Sequence, residues 1–503
     1  MKKIESLLLL SCRSPFLYDS KIYAPMANLY LKSYINQHLP EVNVVLGDDD
    51  YEIASEPVKD EGGNELKNAE GTIIRKHKLN ENGHHVLDSK TESLFEKFDA
   101  IGLSIMTPQR EEAHAILKSI KERWPEKIVI AGGPHVKHYV GDIIKADEPY
   151  DYLVPLDGEK VLTGILSGQT SKFPNRYMRT GIINGKNQIL EDIEDPRILV
   201  DVMGKTDIAN APRPDRTSEN AKKVIKNYNY RLGDRESTTM MTARGCPEHC
   251  KFCEDARTAV KWSSLENIKK ELGDIKNMGY GGVYLFDDLF AIAKDKVEPI
   301  CKELKKRNLI YRCNAQARYF TMWGEDFAKL LADTGCYEIA FGAETGSQKI
   351  LDAIEKRTTI EMNYKTVEYA NKNRIIVKAF ILLGLPGEDE DTLKDTEKFI
   401  QYLISSNPNN DFGAYIFYPY KGTQLRDSLD RGEDIGLQML VPEGVGTYCG
   451  GLESVIRTPK LTENDLLEFR DYLIKKYRPT SNKPVWDKFR DTHLASNVEY
   501  SKN

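Results

Sequence analysis

The chain has 503 residues, 29% of them charged, with a formal net charge of −6 and eight cysteines. That length predicts two or three domains with ample cores, so the cysteines are not the staples of a small scaffold. Lysine and arginine are intermixed with acidic residues, which gives no support to a nucleic-acid footprint, and no stretch reaches the roughly 20 apolar residues of a membrane span.

The opening "MKKIESLLLLSCRSP" has the outline of a secretory signal, but its apolar run is confined to residues 7–10 and reads as a first strand. The expected compartment is therefore cytoplasmic, where clustered reduced thiols point to metal or redox chemistry rather than disulfides. After this strand Ala27, Leu31, Tyr34, Ile35 and His38 share a helical face, and residues 42–46 form a second apolar run, completing a βαβ unit. A polar insertion without clear periodicity spans about 48–93.

The pattern returns in "DAIGLSI", where Ile101, Leu103 and Ile105 alternate, and Thr107 with Pro108 reads as an N-cap and first-turn proline. Ala113, Ile116, Leu117, Ile120 and Trp124 make the buried stripe of the following helix. "KIVIAGGPH" is the next strand, leaving the sheet at Gly132, Gly133, Pro134 and His135, and "VPLDGEK" ends a further strand at Gly158 and Glu159. Glycines at the carboxyl edge of an open α/β sheet let a ligand approach backbone, although a tight turn uses glycine equally well.

From residue 239 six strand-like segments alternate with helices: 239–243, 282–286, 310–314, 338–342, 376–383 and 412–418. Ser263 and Glu266 read as a capping box for the first helix, with Ile268, Leu272, Ile275 and Met278 on its buried face. Six successive βα units predict a parallel sheet curling into a partial barrel, with chemistry at the carboxyl ends of its strands.

"RGCPEHCKFCEDA", residues 244–256, follows the first of these strands and places Cys246, Cys250 and Cys253 as C-x3-C-x2-C. Thiolates bind soft metals, so zinc and iron–sulfur are the candidates. Zinc needs a fourth ligand; His249 is adjacent, but no second Cys or His pair follows at finger spacing. A four-iron cluster on three cysteines leaves one iron open to a small molecule. The motif, with Phe252 before its last cysteine, resembles the signature of the radical S-adenosylmethionine superfamily. The resemblance implies that the open iron chelates S-adenosylmethionine, which an electron from the 4Fe-4S cluster cleaves to methionine and a 5′-deoxyadenosyl radical.

The resemblance continues through the repeats and implies roles for further residues. In "LFDDLF", Asp287 and Asp288 are candidates to meet the methionine moiety, an acidic helix cap being the alternative. Arg318 in "NAQAR" is a candidate partner of the methionine carboxylate, against a simple surface salt bridge. In "FGAETGS", Glu344 is a candidate for the ammonium or ribose, and Ser347 for the cofactor or a helix cap. Backbone around Gly384 and Gly387 in "LLGLPGEDED" is implied near the adenine, and "YPYKGTQL" resembles the segment that closes the barrel in one branch of the superfamily.

That branch carries an N-terminal cobalamin-binding domain, and residues 1–170 resemble one. The resemblance implies cobalamin contacts from Thr107, Gly132, Gly133, His135, Gly158 and Glu159. "APRPDR" resembles the segment leading into the barrel. No D-x-H-x-x-G motif supplies a lower cobalt ligand, and His135 is implied in the loop around the nucleotide tail. A nucleotide-binding Rossmann unit is the rival, but G-x-G-x-x-G is missing.

The expected fold class is thus α/β: a Rossmann-like, doubly wound cobalamin-binding domain (1–170), a linker (171–235), a partial (β/α)6 TIM-like radical SAM barrel (236–430) and a C-terminal extension (431–503). That extension, with Tyr448, Cys449 and an amphipathic helix near 461–476, is expected to cover the barrel opening. The resemblance implies methylation of an unactivated carbon through methylcobalamin, with the sheet's ligand edge facing the barrel mouth. Cyclisation or rearrangement, and a non-catalytic iron–sulfur and cobalamin sensor, are the alternatives. Implied partners are an electron donor such as flavodoxin or ferredoxin and a substrate that is a small molecule, a lipid-like compound or a protein side chain.

Overall fold

The structure, a computed structural model, describes residues 4–12, 23–47, 51–57, 59, 60, 62–65, 75–183, 185–201, 207–440 and 454–477. These fall into two compact units, the first holding residues 4–12 and 24–227 and the second residue 23 and 228–477.

In the first unit Leu7, Leu8, Leu9 and Leu10 are all buried, because both faces of their strand are covered. This strand, Ser6–Ser11, lies in a five-stranded sheet with Asn43–Leu46, Ala100–Ser104, Ile128–Gly132 and Tyr152–Val154. All pairings are parallel, and numbering these five strands in chain order gives the spatial order 2-1-3-4-5. Right-handed crossovers then put helix Met26–His38 on one face and helices Arg110–Arg123 and Pro134–Lys145, which run the other way, on the opposite face. The doubly wound expectation holds.

Local readings need correction. Helix Met26–His38 buries Met26, Asn28, Leu29, Lys32 and Ile35, while Ala27 and His38 are exposed. Two polar residues that patterning assigns to solvent are buried with partners, since Lys32 donates to the Val44 carbonyl and Asn28 to the Ser11 hydroxyl at 3.1 Å. Thr107 does not cap a helix; Thr107–Gln109 is a 3₁₀ turn, and the Met106 N–H donates to Gln109 Oε1 at 2.8 Å. The insertion carries an antiparallel pair, Ser55–Pro57 with Arg75–His77, and helix Ser89–Glu96. The segment read as a linker holds a hairpin, Arg176–Ile183 with Lys186–Glu194, and helix Glu219–Lys226. Within "APRPDR", the Asp215 N–H donates to the Leu29 carbonyl at 3.1 Å and Arg216 is buried against Met26, so this segment docks on the first helix.

In the second unit six parallel strands stand side by side in chain order: Arg235–Met240, Gly282–Leu285, Ile310–Ala315, Cys336–Glu344, Ile376–Leu383 and Asp411–Ile416. The short strand Arg231–Leu232 adds an antiparallel edge. Val283, Leu285, Ile339, Phe341, Val377 and Ala379 form one buried apolar face. On the other face Tyr284, Arg312 and Glu338 are register neighbours. Arg312 pairs with Glu338 at 3.1 Å and lies 4.5 Å over the Tyr284 ring.

The first strand begins four residues before the expected one, and Ala243–Arg244 instead pairs with Lys261–Trp262. The helix that follows, Leu265–Asn277, is capped by Ser264, whose side chain accepts from the Asn267 N–H. Ser263 uses its own N–H on the Thr242 carbonyl, so the expected capping box is displaced by one residue. The C-terminal helix is Glu463–Tyr477, whereas Tyr448 and Cys449 lie outside the described residues.

Gly133 locks the carboxyl edge of the first sheet. Its φ is +96°, and a Cβ there would stand 2.8 Å from the Ile105 carbonyl oxygen and 2.9 Å from its nitrogen. Gly133→Ala is therefore expected to destabilise the first unit by roughly 2 kcal/mol or more, through left-handed strain and overpacking. Urea denaturation measures this, and an unchanged midpoint would contradict it.

Candidate active site

The loop holding Cys246, Cys250 and Cys253 is closed at its base by the ribbon of Ala243–Arg244 and Lys261–Trp262. Its neck is fixed by carboxylates at the end of the second barrel strand. Asp287 accepts from the N–H groups of Thr242 at 2.5 Å and Ala243 at 3.1 Å, and from the Thr242 hydroxyl. Asp288 accepts from the Gly245 N–H at 2.7 Å. Gly245 must be glycine: its φ is +101°, and a Cβ would stand 2.4 Å from the Ala259 carbonyl oxygen. Within the loop, Thr258 and Cys246 exchange backbone and hydroxyl hydrogen bonds, with Cys246 N–H donating to Thr258 Oγ1 at 2.8 Å.

Asp287 is buried with its carboxylate engaged by the loop, and neither it nor Asp288 caps a helix, since the next helix, Lys294–Lys306, has Ala293 at its N-cap. Burial pushes the Asp287 carboxyl up to about 7, against three hydrogen bonds that favour the anion.

All three loop cysteines are free thiols. Burial pushes Cys246 up to about 11 and Cys253 up to about 12, and raises Cys250. As thiolates the three are soft donors of the kind that hold an iron–sulfur centre, and binding one requires the thiols to give up their protons. Among the described residues no three His, Cys, Asp or Glu side chains are arranged around a single ion.

Around the loop, Arg318 pairs with Glu248 at 3.6 Å and lies 4.9 Å over the Tyr319 ring, while the Tyr319 hydroxyl donates to Glu248 Oε1 at 2.6 Å. Glu248, buried between two cysteines of the motif, thus ties the loop to helix Ala317–Trp323. Glu344 sits at the end of the fourth strand with φ +61° and accepts from Lys356 Nζ at 2.6 Å. Ser347 stands at the N-cap of helix Gln348–Ala353, but its side chain makes no capping bond. Gln316 Oε1 is buried without a hydrogen-bond partner among the described residues. Sequence reasoning missed Thr242, Glu248, Thr258, Gln316, Tyr319 and Lys356, since each acts through a neighbour distant in the chain; only the position of Glu248 inside the cysteine motif offered a signal.

At the end of the fifth strand Gly384 and Gly387 have φ +86° and +81°, and a Cβ on Gly384 would stand 2.6 Å from Ile456 Cδ1. Thr458 donates to the Glu388 carbonyl at 3.0 Å, so the C-terminal extension docks on this turn. Glu388 is buried; Oε2 accepts from the Gly384 N–H and Oε1 has no hydrogen-bond partner among the described residues.

In the first unit, Thr107, Gly132, Gly133, His135, Gly158 and Glu159 follow the ends of three adjacent strands and share one edge. The close approaches the two glycines allow are internal: Gly133 abuts the Ile105 backbone and Gly132 the Val154 carbonyl. The His135 ring is buried and stacked on Tyr139 at 4.7 Å, and burial lowers its pKa to about 4, which keeps it neutral.

Residues 240–400 match the Radical SAM superfamily, and residues 83–166 match the B12 binding domain. An uncharacterized methyltransferase of Pyrococcus horikoshii is 26% identical over 341 residues, 66% of this chain and 70% of that protein. The anaerobic magnesium-protoporphyrin IX monomethyl ester cyclase of Rubrivivax gelatinosus is 27% identical over 64% of this chain and 56% of its own length. The chain thus spans little more than half of that relative. Among solved structures, the radical S-adenosylmethionine methyltransferase TsrM from Kitasatospora setae, with cobalamin and a [4Fe-4S] cluster bound, superposes with TM-score 0.64 at 14% identity over 99% of both chains. The cobalamin-dependent S-adenosylmethionine radical enzyme OxsB superposes with TM-score 0.66 at 15% identity, over 99% of this chain and 72% of that one. Among the described residues no helix is long and apolar enough to cross a membrane.

Burial pushes the Glu388 carboxyl from 4.5 to about 8. The folded chain then holds a proton that the unfolded chain releases, so this contribution to stability is full below about pH 4.5 and is lost as pH rises through about 8, at roughly 1 kcal/mol per pH unit between. Glu388→Gln should remove that slope. Urea denaturation at pH 5 to 8 checks it: the variant's advantage should grow with pH, and parallel curves would contradict the assignment.

Proposed function

We propose that this chain, a radical SAM superfamily member with a B12-binding domain, methylates an unactivated carbon of its substrate. The observation carrying this reading is the loop of three, and not four, thiols at the carboxyl end of the first barrel strand, in a chain that also matches the B12 binding domain. Its methyltransferase relatives support the reaction class, among them a cytidylyl-2-hydroxyethylphosphonate methyltransferase of Streptomyces wedmorensis, 24% identical over 65% of this chain.

Cys246, Cys250 and Cys253 hold the 4Fe-4S cluster. Glu344 and Gln316 offer a carboxylate and an amide oxygen without a partner among the described residues to the ammonium and ribose of S-adenosylmethionine, and the backbone around Gly384 and Gly387 lies near its adenine. Arg318 shapes the loop through Glu248. Thr107, His135, Gly158, Glu159 and the backbone at Gly132 and Gly133 hold cobalamin at the sheet edge. When bound, these groups supply a substrate radical by one-electron cleavage and the methyl group that quenches it; the protein's task is to place and shield them.

Phe286, just after the second barrel strand, and Tyr415, in the sixth, are each more than a third exposed, and an uncharged portion of a small or lipid-like substrate is the partner proposed for them. The similarity to the anaerobic cyclases favours a second reading, ring closure without methyl gain. An external low-potential one-electron donor, such as a flavodoxin or ferredoxin, serves either.

Anaerobic incubation of the reconstituted protein with S-adenosylmethionine and a strong reductant should release 5′-deoxyadenosine, read by liquid chromatography. Cys250→Ala should lose the cluster and that product by at least tenfold. Retained cleavage in the variant would show that the ligands are wrong. Absence of 5′-deoxyadenosine from a fully iron-loaded protein supplied with substrate-containing extract would favour a sensor.

A further inference from the structure

Residues 353–358 wrap the outside of the cysteine loop. The carbonyls of Ala353 and Ile354 accept from Lys251, side chain at 3.2 Å and backbone at 3.0 Å, and Glu355 pairs with Lys251 at 3.3 Å and Arg257 at 3.0 Å. Glu355 and Arg357 both have left-handed backbone, φ 53° and 56°. The residue between them, Lys356, is turned inward and buried, its Nζ 2.6 Å from Glu344 Oε1 and 5.5 Å from the centre of the Phe252 ring. Glu344 is also left-handed, and a Cβ on Gly342 would stand 2.0 Å from Glu344 Oε1 and 2.7 Å from Lys356 Nζ, so the strand leaves a gap for this pair.

Left-handed positions at three non-glycine residues carry strain, and a buried ion pair gains little net stability because desolvation offsets its attraction. The clamp on the loop does not need the ammonium either, since backbone carbonyls and Glu355 make it. What the ammonium does face is the cysteine motif, since its Nζ lies 5.5 Å from the ring centre of Phe252, the residue before Cys253.

We propose that Lys356 is a positioning residue of the cysteine loop: it aims the Glu344 carboxylate and supplies a fixed positive charge that makes an iron–sulfur cluster held there easier to reduce. This rests on the three cysteines being cluster ligands. The step it favours is transfer of one electron from an external low-potential donor, with no bond made or broken, and the ammonium offsets the negative charge gained.

The test is a reductive titration of anaerobically reconstituted protein without S-adenosylmethionine, followed by electron paramagnetic resonance, with iron and sulfide counted per chain. At full iron content Lys356→Met should lower the equilibrium constant for one-electron reduction about tenfold, ~59 mV more negative. Glu344→Gln should shift the potential in the opposite direction, and Lys356→Arg should stay near the wild type. Should Lys356→Met not fold with Glu344 unpaired, the positive shift of Glu344→Gln decides. An unchanged potential in fully loaded Lys356→Met, a shift of the same sign in both variants, or no positive shift in Glu344→Gln would overturn the assignment. A wild-type chain that takes up no iron overturns the cluster reading itself, which the iron count distinguishes.

Discussion

The attachment of the cysteine loop to the end of the second barrel strand governs the site. Asp287 takes the backbone of Thr242 and Ala243, and Asp288 takes that of Gly245. The loop carries three thiols, of which Cys250 is buried and Cys246 and Cys253 are half-buried. Fixing its neck to a strand that the parallel sheet holds in register sets where the thiols emerge. Glu248 with Tyr319, and residues 353–355 with Lys251, then hold its far side.

This arrangement separates two kinds of acidic residue. Asp287 is sealed within the neck of the loop, while Glu344 is turned toward the buried cation Lys356 on left-handed backbone, at the end of the fourth barrel strand. The same division runs through the first unit, where Gly133 is consumed in closing the strand-end loops on each other and His135 is buried and neutral.

Much of the fold was legible because it rests on runs of adjacent residues. The buried leucines 7–10, the alternation at Ile101 and Leu103, and the six βα repeats are periodic, and periodicity survives in a single sequence. The cysteine motif was legible for the same reason, its three thiols lying within one short loop. Residues whose role depends on a partner far along the chain were not: Lys356 reads as part of a charged run in "IEKRT", yet pairs across the strand end with Glu344. Errors in phase have a similar origin. Lys32 and Asn28 look solvent-facing until the Val44 carbonyl and Ser11 hydroxyl are placed beside them, and Ser263 looks like the cap until its N–H is committed to Thr242.

The central claim joins two cofactor domains in one methyl transfer, and following the methyl group tests it most directly. The reconstituted protein, supplied anaerobically with cobalamin, reductant, methyl-labelled S-adenosylmethionine and an extract of the source cells, should move label onto a carbon of an extract component while forming 5′-deoxyadenosine. Label that stays in S-adenosylmethionine and its methionine, with substrate converted all the same, would contradict methylation and favour ring closure.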